Sequence, residues 1–181
     1  AAIERLRRFQ LSSGGFSFWP GGNSVSEWGT NYAGHFLLEA KAAGYHVPDD
    51  LIGNWLRYQS ARADSTSETL MTRVYRVYLL ALADEPSLAA MNLLRENSFR
   101  DMTDTMRWLL ASAYKLRGMS DIASEIVSNT GTSVREYEGY HRSYGSALRD
   151  KAMILEALVL FGRWNEAQTL FEDIAAHLSS D

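Results

Sequence analysis

The chain has 181 residues, 46% of them hydrophobic and 22% charged, with no cysteine and a formal net charge of -4. That length suits one domain, and about 70% of the unfolded surface can be buried at this size without a covalent staple. The composition excludes a disulfide scaffold, a thiol nucleophile and a thioester within these residues, argues against nucleic acid as a partner, and leaves no apolar run near the ~18 residues of a membrane span.

Helical periodicity runs almost throughout, and strand alternation is nearly absent. Ala1 to Leu6 reads as the middle of a helix, with no initiator Met or leader pattern, so the chain is expected to be a piece of a longer protein. Ile3, Leu6 and Phe9 mark a short first helix, followed by a glycine-rich segment from Ser12 to Gly22. Ser24 and Glu27 form a capping-box pattern ahead of a helix carrying Trp28, Tyr32, Phe36, Leu37 and Ala40, which stops at Gly44. Pro48 opens the next helix, with Asp49 and Asp50 at its positive end.

Ser65 and Glu68 repeat the capping box before a helix over 66–83 that is apolar on most sides. Pro86 starts a short helix with Leu88, Met91 and Leu94. Asp101 is placed as the cap of a longer one closed by Gly118, and Ser120 as the cap of its successor. A polar loop spans 130–145. Ser146 to Phe161 forms another apolar helix, closed by Gly162, and Trp164 to Leu178 the last.

Longer apolar helices thus alternate with shorter amphipathic ones, at a step of roughly 36 to 44 residues, the period of stacked helical hairpins. Leu116-x-Gly118 with Ala123 and Leu160-x-Gly162 with Ala167 share one offset, and Leu82-x-Asp84 with Ala89 is a weaker copy. Each closes a long helix at a residue able to adopt the left-handed region. The expected architecture is all-α, a partial α/α toroid with inner and outer helices alternating. An extended superhelix is the alternative.

The string Gly14-Gly15-Phe16-x-x-Trp19-Pro20-Gly21-Gly22, then Trp28 and Tyr32, then Phe36-Leu37-Leu38-Glu39-Ala40-Lys41 with Gly44, Val47 and Pro48, resembles the thioester domain of bacterial alpha-2-macroglobulin-like proteins. Arg149-Asp150-Lys151-Ala152, Leu155, Leu158, Gly162 and Ala167 resemble its tail. The resemblance implies a single domain over 1–181 that is a fragment of a larger thioester-type domain, in a periplasmic or cell-surface protein that traps proteases after they cut a bait region. The implied partners are the other domains of the same large protein and the trapped proteases. In many members a Cys-x-Glu-Gln motif forms the thioester; it would lie upstream of residue 1. Complement-like relatives activate acyl transfer with a His in the loop before this inner helix. The loop from Gly14 to Ser26 has none, so no catalytic residue is carried over.

The residues offer little chemistry of their own. None of His35, His46, His141 and His177 is read as half of a metal pair with a His or carboxylate four residues on, and no metal or cofactor is expected. Asp101 with Asp104, and Glu136 with Glu138, are the carboxylate pairs that a toroid glycosidase could use. Asp101 reads more simply as a cap, and Glu136 and Glu138 as a solvated loop. Tyr137, Tyr140, His141, Arg142 and Tyr144 form a second place where a sugar or partner could bind. A helical-repeat binding scaffold is the remaining alternative. Phe16, Phe18 and Trp19 either plug one end of the ring or form an exposed docking surface.

Overall fold

The computed structural model describes residues 2–137 and 145–179. Among these the chain is all-α: α1 (Ala2–Leu6), α2 (Glu27–Ala42), α3 (Asp49–Ala61), α4 (Leu70–Leu82), α5 (Leu88–Ser98), α6 (Asp104–Leu116), α7 (Ser120–Val127), α8 (Ala147–Leu160) and α9 (Trp164–Leu178). A 3-10 turn, Phe99–Asp101, joins α5 to α6. The only extended pairings among the described residues are two isolated bridges, Gln10 with Phe16 and Ser17 with Val25.

The even-numbered helices form an inner row. α2 packs on α4, α4 on α6 and α6 on α8, while α3, α5, α7 and α9 each lie against the helix before them. The inner helices share one construction. Each starts at a Ser or Thr whose hydroxyl accepts a backbone N–H three residues on: Ser26 from Gly29, Thr69 from Thr72, Thr103 from Met106 and Ser146 from Arg149. Each ends with the same closing bond, running from the residue after a left-handed position back into the last turn. These bonds are Tyr45 N to Ala40 O at 2.9 Å, Glu85 N to Leu80 O at 2.8 Å, Met119 N to Tyr114 O at 2.9 Å and Arg163 N to Leu158 O at 2.9 Å. The left-handed residues are Gly44, Asp84, Gly118 and Gly162, so the repeat expected from Leu82-x-Asp84, Leu116-x-Gly118 and Leu160-x-Gly162 is present as geometry.

The helix starts differ from the expected ones. Ser24 with Glu27 and Ser65 with Glu68 do not make capping boxes; Ser26 and Thr69 are the caps. Glu68 turns instead to the Arg62 guanidinium, and both glutamates face Arg76, which lies fully buried in the apolar helix α4. Its Nη2 is 2.7 Å from Glu27 Oε2, and its Nη1 is 3.5 Å from Glu68 Oε2. Arg76 Nε donates to Gln59 at 2.8 Å and Nη1 to the Arg62 carbonyl at 3.0 Å. A buried guanidinium without partners is far costlier than an uncapped helix N–H, so the carboxylates go to it. Thr103 rather than Asp101 caps α6, and Asp101 ends the 3-10 turn. Met119 rather than Ser120 occupies the cap position of α7, and Ser87 rather than Pro86 starts α5.

The row also curls. His35 on α2 reaches Glu156 on α8 at 3.3 Å, and the Arg149 guanidinium of α8 lies 4.7 Å from the ring centre of Trp28 on α2. The first and fourth inner helices of a straight superhelical stack do not meet. The core between the rows holds Trp55, Trp108, Tyr75, Tyr114, Leu37 and Leu79, all fully buried.

Candidate functional site

The segment between α1 and α2 is folded tightly on itself. Ser17 N donates to Phe9 O at 2.8 Å, Leu11 N to Gly15 O at 2.8 Å, and Ser26 N to Phe16 O at 2.8 Å. Thr30 Oγ1 accepts the Phe16 N–H at 2.8 Å, and the Thr30 carbonyl takes the Trp55 indole N–H at 2.9 Å. Gly14 has φ +96°, and a Cβ there would fall 2.1 Å from the Asn54 carbonyl oxygen. The position needs both the backbone freedom and the missing side chain of glycine. Gly15 presses on Val25 and Tyr58.

The loop aromatics divide. Phe16 is buried at 1% exposure and anchors the loop, and Trp28 is buried behind it. Phe18 and Trp19 stand out at 46% and 70% exposure, packed edge to face with ring centres 4.9 Å apart. Pro20 and Gly21 are exposed beside them and Gly22 is half-buried. Tyr32, at 63% exposure, points away from the core. Thus Gly14, Gly15, Phe16 and Trp28 form the footing, and Trp19, Pro20, Gly21 and Tyr32 the exposed face. A groove of about 520 Å³ runs beside that footing, lined by Leu6, Phe9, Phe16, Tyr32 and Phe36 among others.

A second cluster lies at the edge of this groove. His35 does have a carboxylate four residues on, Glu39, and the fold adds Glu156 from α8; one ligand atom of each lies within 4.8 Å of the others. The expectation that no histidine belongs to such a set is therefore corrected. His35 Nδ1 is 2.7 Å from the Tyr75 hydroxyl, which fixes the ring. Burial raises the Tyr75 phenol well above its ordinary value, with the Glu156 charge adding to it, so Tyr75 stays protonated. Burial opposes ionisation of Glu156, yet the hydrogen bond and charge of His35 and the Tyr78 hydroxyl hold its carboxyl below the usual range. Glu156 comes from more than a hundred residues downstream, so no local sequence signal announces it. The spacing of His35 and Glu39 on one helix face was legible.

The other candidates are placed as follows. Asp104 opens α6 and pairs with Arg107 at 3.6 Å. Glu136 pairs with Lys151 at 3.3 Å, and Tyr137 donates to Asp150 at 2.9 Å. Glu138, Tyr140, His141, Arg142 and Tyr144 lie outside the described residues. His46 is exposed.

No protein-family model matches the chain. It is 34% identical over 129 residues to the alpha-2-macroglobulin homolog of Yersinia pestis, covering 67% of this chain and 6% of that protein. It is 30% identical over 173 residues to the alpha-2-macroglobulin of Escherichia coli, covering 86% of this chain and 10% of that protein. The chain thus spans a tenth or less of these relatives. Among solved structures, native E. coli alpha-2-macroglobulin from domain MG7 to the C-terminus superposes with a TM-score of 0.81 at 23% identity, over 96% of this chain and 30% of that one. Salmonella alpha-2-macroglobulin reacted with methylamine gives 0.79 at 22% identity, over 98% of this chain and 12% of that one. Both share the fold.

Proposed function

Since the chain is homologous to a segment of the bacterial alpha-2-macroglobulins, we propose that it serves as a non-catalytic helical domain of a protease-trapping protein. The observation that carries this reading is the 30% identity spanning 86% of the chain to the E. coli relative. The order of the loop motif supports it: Gly14-Gly15-Phe16, Trp19-Pro20-Gly21-Gly22 and the stripe of α2 follow one another as in that family.

In this reading the curled inner row is part of an α/α toroid, a thioester-type domain larger than the chain, and α8 turning back toward α2 favours that closure over an open stack. Phe18, Trp19 and Pro20 form a docking face for a neighbouring domain of the same protein. Exposed rings on a rigid glycine-hinged footing suit that role, because little conformational entropy is lost on contact. Any thioester would lie in the parent protein outside these residues. The parent acts outside the cytoplasm, where it meets foreign proteases. Among the described residues no helix is long and apolar enough to cross a membrane.

The test uses the full-length parent. Incubated with trypsin and run on size-exclusion chromatography, it is expected to carry the protease with it in the high-mass peak. A Trp19→Ser variant is expected to fold but to trap less, because the docking face is lost. Trypsin eluting free from the intact parent rejects the reading.

A further inference from the structure

We propose that His35, Glu39 and Glu156 bind a divalent transition-metal ion of the zinc class at the seam between α2 and α8. His35 Nε2 lies 3.3 Å from Glu156 Oε1 and 3.9 Å from Glu39 Oε1. Donors held at about 2.0–2.1 Å around a tetrahedral ion stand about 3.3 Å apart. The two separations from His35 are thus within about 0.6 Å of that spacing, and all three ligand atoms lie within 4.8 Å of one another.

The imidazole is prepared for this task. Its Nδ1 pairs with the Tyr75 hydroxyl at 2.7 Å, and its ring stands edge-on to Tyr75 and Tyr78. With the proton on Nδ1 donated to the Tyr75 oxygen, a binding metal displaces the Nε2 proton and takes up the lone pair it leaves, as metal ligation requires. Nε2 is buried and faces both carboxylates, Glu156 being the nearer. The Tyr78 hydroxyl holds Glu156 in turn. Two carboxylates neutralise a dication, and the one-imidazole, two-carboxylate set suits zinc, iron(II) or manganese(II) better than the all-oxygen demands of calcium. His35 and Glu39 both line the groove beside the loop, which supplies an entry path.

A protonated imidazole shared between the two carboxylates and Tyr75 is the competing account of the same geometry. Titration of the chain with zinc chloride by calorimetry separates them, with cobalt(II) absorption reporting the ligand set. The expected result is one saturable site per chain. Tyr75→Phe should weaken zinc binding about 10–100-fold, as loss of an outer-shell partner does, and Glu39→Gln and His35→Gln should weaken it at least as much. His46→Gln should leave it unchanged. Glu39 is 61% exposed, so its variant keeps the fold and remains decisive even where His35→Gln does not. Absence of a saturable zinc site, unchanged affinity in Glu39→Gln, or loss in His46→Gln overturns the proposal.

Discussion

A Cβ at Gly34 would sit 1.9 Å from the indole of Trp55, and one at Gly14 2.1 Å from the Asn54 carbonyl. Both sites hold α2 and the loop against α3. Gly34→Ala is expected to cost about 1–3 kcal/mol through overpacking, and Gly14→Ala about as much through its positive φ. Gly53, inside α3 with open space around it, should gain about 0.5–1 kcal/mol as Ala. Urea unfolding of the three variants reads these opposite signs directly. Glu68 makes a pH prediction. Burial opposes its ionisation, but the hydrogen bonds of Arg62 and Ser65 and the Arg76 charge hold its carboxyl at about 2, against an ordinary 4.5. A depressed carboxylate stabilises the fold above its unfolded value and loses that contribution as pH falls through its folded value. Stability should therefore decline between pH 4.5 and about 2, and Glu68→Gln should flatten that decline in acid-range urea titrations. Sequence reading at this scale was uneven. It singled out Phe16, Phe18 and Trp19 together and left open whether they plug or project. The structure sends Phe16 one way and the other two the other: Phe16 and Ser17 are held inside by the two bridges and by Thr30, and Phe18 and Trp19 follow where that pairing ends.

The helices themselves were more legible than their starting points. Apolar periodicity located the inner helices, and Gly44, Gly118 and Gly162 marked their ends, since a left-handed closing residue has few substitutes. Asp84 fills the same position without being glycine, at φ +61°. Asp84→Gly is expected to raise stability by up to about 1 kcal/mol by relieving that conformation, visible as a higher urea midpoint. The starts were misread because a Ser followed three residues later by Glu is a local signal, and the demand of Arg76 is a tertiary one. Glu27 and Glu68 are separated by the whole of α3, and only the fold brings them to one guanidinium. The same reason hid Glu156 from His35.

On the scale of the whole molecule, the alternation of long apolar and short amphipathic segments foretold two layers of helices, and the contacts follow that plan. The return of α8 to α2 was not written in any single stretch. It follows from the accumulated angle between successive hairpins, which depends on side-chain size at every interface. Between α2 and α4 the polar contact is the buried pair of Glu27 with Arg76, whereas contacts joining α2 to α8 include the less buried His35 with Glu156 and Arg149 with Trp28.

The arch is accordingly a split washer whose two lips are clasped by partly exposed charged groups, while its body is held by apolar packing and by ion pairs sheltered from solvent. Concentrated electrolyte weakens the clasp and tightens the body, so the gap should widen under sodium sulfate without any melting of the rods. Small-angle scattering would register that dilation as a larger radius of gyration at constant far-ultraviolet ellipticity, and an unchanged radius would mean the lips are held by something other than charge.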